Sequence, residues 1–518
     1  VLSYIARRLG ALVVILFGSS FILYNLAAIS ADPLEGLRQS TEPNAKALME
    51  SLSRDLRLDL PPPLRYFLWL RGVLGIFTGN FTLGETREYQ NVMTELGTAI
   101  PVTVRLVFAA TIIAIILGVA MGIVSALRQY SRFDYSMTFF AFLMFSLPIF
   151  WVAVLLKQYM AIEFNNFLSE PNISTSWLVA ISLVSGIFWA GVISGNKRQV
   201  ASIFFAVTLA TVALIWILDA ANWFIEPQLG IIGMTLLSVA TAFGITQLST
   251  GVANKEALRS ALAVALLLGA VGYFPMQAVL EFSNKGLMFL GLLVLVPLLG
   301  FIASRIFARV DQGPVMRTAT LSGYVILVLL FLDRLMQAWL PYMESDAVNF
   351  RPIPTIGQSK AELTLYGDVN WWVSTLDVMV HLILPTVALT LISFAGYIRY
   401  SRGTLLEVLN QDYIRTARAK GLTERTVIMR HAFRNTMIPL TTIMVADFAG
   451  IVGGAIITER VFGWTGMGTL FNKAITGFDL NLLMGVFLVT ATLAVLANLI
   501  ADLLYSALDP RIRVGSGK

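Results

Sequence analysis

An all-α integral membrane protein is the fold class this sequence predicts, and three observations predict it. Of its 518 residues, 57% are apolar and 13% charged, about half the ~25% charged share of a soluble globular chain. The mean hydropathy is +0.76. Twelve stretches are apolar over the ~20 residues that a helix needs to cross a hydrocarbon core: 9–29, 100–126, 136–162, 177–194, 200–218, 230–248, 258–280, 286–303, 319–340, 378–399, 437–457 and 482–505. So few charges cannot cover that much apolar surface in water. A disordered chain, a nucleic-acid-binding domain and an ordinary soluble enzyme are excluded on that ground.

The basic residues orient the spans. With the N-terminus inside, the inside segments carry 21 of the 37 Lys and Arg, and the short outside loops carry three. This is the asymmetry expected when cationic loops are retained in the cytoplasm. The net charge of +6 then needs no nucleic-acid partner; the bilayer is the partner it implies. Both termini are expected inside.

Taken in order, the first span follows Arg7 and Arg8. Its apolar run is too long for a signal-peptide core, and the sequence near Ala31 is a poor cleavage site, so it reads as a retained span. The outside segment 30–99 contains LRLDLPPPLRYFLWL at 56–70. Pro61, Pro62 and Pro63 enforce an extended approach. Leu64, Phe67, Leu68 and Leu70 then fit the apolar face of a short amphipathic helix, and GNFTLG at 79–84 reads as a turn. The segment is either an ordered cap over the outer mouth or a loop resting on headgroups. The fourth and fifth spans are five residues apart and predict an antiparallel hairpin.

Residues 177–340 hold six spans with short connections. An even number enters and leaves on one face, as an inserted module must. The chain therefore divides into 1–162, an inserted block 163–345, and 346–518, with the inserted helices expected to pack outside any pore because they are apolar all round.

The most informative segment is the inside loop 401–436, SRGTLLEVLNQDYIRTARAKGLTERTVIMRHAFRNT, where seven basic residues face Glu407, Asp412 and Glu424. Leu406, Leu409, Ile414 and Ala417 give a helical pattern between Gly403 and Gly421. A second helix opens at Thr423 and Glu424 and runs through Val427, Ile428 and Phe433. Gly421 divides them as a helix C-cap does. On charge alone, such a loop lies on anionic lipid or docks a partner.

This loop resembles the EAA loop of ABC importer permeases. RTARAKG at 415–421 occupies the place of E-A-A-x-x-x-G, with Ala417 and Gly421 at the alanine and glycine positions and Arg415 and Thr416 in place of the first two letters. DYIRTARAKG followed by RHAFRNTMIP is close to the wording of the dipeptide/oligopeptide branch. The opening YIARRLGALVVILFGSSFILYNLA, SLPIFW at 146–151, HLILPT at 381–386, VFGWTGMG at 461–468 and the terminal DLLYSALDPRIR also look like that branch. The resemblance covers about 1–162 and 375–513.

What it implies is a type I ABC importer permease core of six spans, carrying a six-span insertion, in a bacterial cytoplasmic membrane. Such a chain forms half of a translocation path for di- or oligopeptides, or for related solutes such as nickel complexes. A homologous second permease forms the other half. Two ABC ATPase subunits bind below, and an extracytoplasmic substrate-binding protein delivers the solute. Coupling to the ATPases would fall to Asp412, Tyr413, Arg415, Thr416, Ala417, Arg418, Lys420, Gly421, Thr423 and Glu424. The basic residues, Arg425 among them, would face acids on the ATPase or lie on lipid. The segment 461–468 would dip back toward the pore, which makes Trp464 a path residue.

Ionisable groups inside a bilayer usually face protein or water. Asp447, beside Ala446, Ala449 and Gly450, lines the path or packs against the second permease. Asn498 and Asp502 share one face of the last span and read as helix ties. His381 reads as a packing histidine, and Lys157 and Glu163 reach for an outer boundary. No catalytic, cofactor or metal site is expected in this chain. It has no cysteine, its two histidines lie in different segments, and no G-x-x-x-x-G-K-[ST] loop occurs. ATP and magnesium would therefore sit on the ATPase subunits. A secondary, ion-coupled transporter is the alternative, but it predicts inverted repeats and none is visible. A membrane-embedded enzyme would need a reactive constellation that these residues do not supply.

Overall fold

The computed structural model describes residues 2–30, 32–39, 44–193, 196–309, 311–365, 370–453 and 456–508. Helices dominate, and the β-pairing among the described residues is an isolated bridge between Glu85 and Asn91. Among the described residues, nine helices are long and apolar enough to span a membrane, and two bent helix pairs raise the number to eleven. The expected span 437–457 falls on the helix Phe433–Gly453, beyond those eleven; it runs up to residues 454–455, which lie outside the described set.

Two expected spans are not straight. The stretch 136–162 is Arg132–Ser146 followed by Ile149–Ser169, bent by 102°. Pro148 clashes with a helical residue before it, so Leu147 is extended at ψ 131° and the chain restarts after Pro148. The stretch 258–280 bends by 69° between Lys255–Val271 and Tyr273–Leu280. There Gly272 closes a wide turn by donating to the Leu267 carbonyl at 2.8 Å.

The expected cap helix packs on the first span, but with a different buried face from the expected one. Pro61 is extended and the helix starts at Pro62, running to Leu74. Its buried residues are Tyr66 and Trp69, whereas Leu64, Phe67 and Leu68 are exposed. Aromatic packing decides this. The Tyr66 ring stands 5.2 Å from Phe21, 5.6 Å from Tyr24 and 6.0 Å from Phe17 of the first span, and its hydroxyl meets Ser20 Oγ at 2.8 Å. Gly79 and Gly84 both take positive φ in the expected turn.

Two long helices, Val92–Leu127 and Trp371–Leu409, form the spine. They cross so closely that a Cβ at Gly118 would lie 2.5 Å from Tyr397 Cβ, and one at Gly122 would lie 1.9 Å from Ser401 Oγ. Small residues permit such approach where lipid supplies no hydrophobic drive between helices. The helices Gly230–Ser249, Lys255–Leu266, Lys285–Phe307 and Gln312–Gln337 pack as a bundle. Its polar hub is the buried Asp333, which accepts from Leu229 N at 2.7 Å, Tyr273 Oη at 2.7 Å, Gln277 Nε2 at 3.1 Å and Gln337 Nε2 at 3.1 Å. Leu292, Ile326 and Leu330 share one apolar core with Trp372, Val380 and Leu384 of the spine. Thr175–Ile193 and Lys197–Ala220 pack against each other as the expected hairpin, and Lys197–Ala220 has no buried residue.

The chain returns to one place after 166–352. The buried Asn165 donates from Nδ2 to the Ile353 carbonyl at 2.8 Å and accepts from Ile353 N at 3.0 Å.

Candidate coupling loop and translocation-path site

The expected helix from Gly403 to Gly421 is two helices. The spine helix continues to Leu409, the chain turns at Asn410 and Gln411, and a short helix runs from Asp412 to Ala419. The break is legible only in three dimensions: Leu405 and Ile414 must reach the same core with Ala126, Ala417, Val427 and Ala432, which one straight helix would prevent. Gly421 takes φ +74°, and a Cβ there would meet nothing within 4 Å. The glycine is therefore needed for its left-handed backbone, not for space. Thr423 caps the next helical stretch by accepting from Thr426 N at 3.4 Å. A wide π-type turn over Val427–Ala432 leads into Phe433–Gly453.

The ten expected coupling residues divide by burial. Asp412, Tyr413, Arg415, Thr416, Arg418, Lys420, Gly421, Thr423 and Glu424 are exposed. Ala417 is 5% exposed and faces its own chain with Ile414. Its small size thus seats the short helix on the rest of this chain. Arg418 forks onto Glu424 across Gly421 at 2.8 and 3.4 Å, and Arg415 pairs with Asp412 at 3.6 Å. Tyr413 Oη accepts from Asn435 Nδ2 at 3.0 Å. The Arg425 side chain lies outside the described residues.

A clamp that the sequence reading missed anchors this unit. Arg402 donates through Nε and Nη2 to the two carboxylate oxygens of Asp134 at 2.7 and 2.9 Å. Asp134 also accepts from Ser125 Oγ at 2.5 Å and Tyr130 N at 3.0 Å, and it is 2% exposed. The start of the loop 401–436 is thereby fastened to the loop 127–135. The local signal was Ser131 three residues before Asp134: Ser131 Oγ accepts from Asp134 N at 3.2 Å at that helix start.

Away from that clamp, VFGWTGMG folds around a buried carboxylate, also missed. Glu459 is 0% exposed. It accepts from Thr103 Oγ1 at 2.7 Å and from Thr469 N at 2.8 Å. Thr103 in turn accepts from Met467 N at 2.7 Å. A Cβ at Gly466 would lie 2.3 Å from Thr103 Oγ1 and 2.5 Å from Glu459 Oε1, so the glycine makes the room. Trp464 is fully buried, and Gly357 N donates to the Phe462 carbonyl at 2.8 Å. The segment is packed into the fold rather than a surface turn. Lys157 reaches the Val461 carbonyl and lies over the Phe462 ring at 5.2 Å, and Glu163 accepts from Gln158 at 3.1 Å.

Within the spans, Asp447 is exposed to the outside of this chain and accepts from Tyr397 Oη at 2.6 Å. The surroundings of Gly450 and the side chain of Asp502 lie outside the described residues, as does the terminal 509–518. Asn498 is exposed. His381 is buried, with Nδ1 2.7 Å from the Asp377 carbonyl. Asp377 accepts from Tyr342 Oη at 3.0 Å; burial, and then this carboxylate, push the Tyr342 phenol up, so it stays a donor. Among the described residues, no group of three His, Asp or Glu stands within reach of one metal ion.

These features define a multi-pass membrane protein. Residues 317–514 match the family described as "Binding-protein-dependent transport system inner membrane component". The oligopeptide transport system permease protein OppB of Mycobacterium bovis (strain ATCC BAA-935 / AF2122/97) is 44% identical over 138 residues, 27% of this chain and 42% of that protein. The oligopeptide transport system permease protein AppB of Bacillus subtilis (strain 168) is 45% identical over 132 residues, covering 26% and 42%. The dipeptide transport system permease protein DppB of Escherichia coli (strain K12) is 44% identical over 160 residues, covering 31% and 46%. The chain thus spans less than half the length of each of these relatives.

Proposed function

We propose that this chain is the membrane permease subunit of an ATP-driven ABC importer for di- or oligopeptides. In this reading it forms half of the path, with a homologous second permease as the other half. Two ABC ATPase subunits, carrying ATP and magnesium, bind the exposed side of the loop 410–426 in the cytoplasm, and an extracytoplasmic binding protein delivers the solute. The termini are cytoplasmic.

The observation that carries the reading is the division of faces on the helix Asp412–Ala419. Ile414 and Ala417 fasten it to Leu405 and Val427, while its charged residues stand free of the core. A push on that exposed face passes through the Asp134–Arg402 clamp into the spine helix. Asp447, exposed on its span and bonded to Tyr397, supports a polar lining or a contact with the second permease. The Asn165–Ile353 closure supports reading 163–345 as an inserted block, since it ties the start of that block to the chain just beyond its end.

The test is a reconstituted complex of both permeases, the ATPases and the loaded binding protein. Scrambling residues 412–424 with the ATPases still attached is expected to abolish peptide uptake and to leave basal ATP hydrolysis running. Undiminished uptake after scrambling would refute the coupling role.

A further inference from the structure

We propose that the cavity beneath the cap helix binds the phosphate headgroup of an anionic phospholipid in the leaflet opposite the coupling loop. A cavity of about 390 Å³ lies between the outer end of the first span, the turn after the helix Ala45–Asp55, the cap helix Pro62–Leu74 and the start of the last span. Its wall is rich in donors and poor in acceptors. Arg57, Arg65 and Arg71 line it, and the lining carboxylate, Asp55, already accepts from Tyr89 Oη at 3.0 Å.

Two buried donors there lack a partner among the described residues. Trp69 is 8% exposed with its indole Nε1–H unmatched, and Arg65 Nε is buried and unmatched. Burying a donor without an acceptor is costly, and an oxyanion in the cavity would satisfy both. Guanidinium forks suit the oxygens of a phosphate group.

The surroundings select a lipid over a soluble anion. Leu64, Phe67 and Leu68 of the same helix are 53%, 51% and 39% exposed. An amphipathic helix with such a face lies in the interface, its apolar side among acyl chains and its cations at headgroup depth. Tyr24, Ala27 and Leu68 also wall the cavity, so an acyl chain has an apolar exit along the first span. Three arginines against one engaged carboxylate favour a headgroup of net negative charge. The leaflet rests on the orientation proposed above; occupancy of the cavity does not.

The experiment uses the full chain purified in detergent, incubated with phosphatidylglycerol or phosphatidylcholine, with bound lipid counted by native mass spectrometry. Phosphatidylglycerol is expected to be retained in preference to phosphatidylcholine. Retention should fall at least about tenfold in the double variant Arg65→Gln, Arg71→Gln, the scale of a lost charge-assisted hydrogen bond. Trp69→Phe, which removes the indole donor, is expected to weaken retention by several-fold. Arg430→Gln, an exposed change on the opposite face, should have no effect. Arg65→Lys keeps the charge without the fork and is expected to fall between, with circular dichroism showing that each variant is folded. Equal retention by the native chain and the folded double variant would overturn the proposal. So would equal retention of the two lipids, or displacement of phosphatidylglycerol by millimolar inorganic phosphate, which would mark a free-oxyanion site. An inverted orientation would change the leaflet and leave the retention data as they are.

Discussion

At Gly466 the side chain is decided by what lies opposite. Thr103 and Glu459 already fill the space a Cβ would take, and both are bonded and buried. Gly466→Ala is therefore expected to destabilise the chain by about 1–3 kcal/mol, the usual cost of overpacking, read as a lower thermal unfolding midpoint in detergent. Gly403 is the control. It sits inside the spine helix with nothing within 4 Å of its missing Cβ, so Gly403→Ala is expected to be neutral or stabilising by up to ~1 kcal/mol. A glycine-rich stretch announced that VFGWTGMG was special. Its buried carboxylate was not legible, because Thr103 lies 356 residues from Glu459 and no local pattern joins them.

The helix Asp412–Ala419 shows the same limit one level up. Its apolar positions and its glycine stop were readable, since Ile414, Ala417 and Gly421 follow helical spacing and capping rules. Which partner the small alanine served was not, because a small residue fits any close contact. Ala417 turns out to face Leu405 and Val427. Ala417→Leu is expected to cost about 1–3 kcal/mol and to loosen the helix, seen as faster proteolysis of the loop. Lys420→Glu, fully on the exposed side, should stay within about 0.5 kcal/mol of the native stability. In the proposed complex it should nevertheless lower ATPase retention in a pull-down. If Lys420→Glu unfolds the loop and Ala417→Leu does not, the assignment of faces is reversed.

For the whole molecule, orientation is testable because the chain contains no cysteine. Arg430→Cys and Ser359→Cys place single thiols at exposed positions on opposite sides of the expected membrane. In intact cells a membrane-impermeant maleimide is expected to label the thiol of Ser359→Cys, and to reach that of Arg430→Cys only after lysis. The reverse pattern would invert the topology read from the Lys and Arg distribution. Asp134 bonds Arg402, and Arg128 reaches the Val192 carbonyl, so the labelling result for one of these segments is expected to hold for all three.

By itself the sequence determined the solvent, the helical class, the approximate spans and the loop that carries the family resemblance. Each follows from composition or from spacing within one segment, and such signals survive without neighbours. The tertiary structure alone decided the face of the cap helix that is buried, the split of the expected 403–421 helix, and the pairs Asp134–Arg402, Thr103–Glu459 and Asn165–Ile353. These depend on which distant groups meet. In a chain apolar on nearly every face, periodicity cannot say which face turns inward; packing and hydrogen-bond satisfaction do.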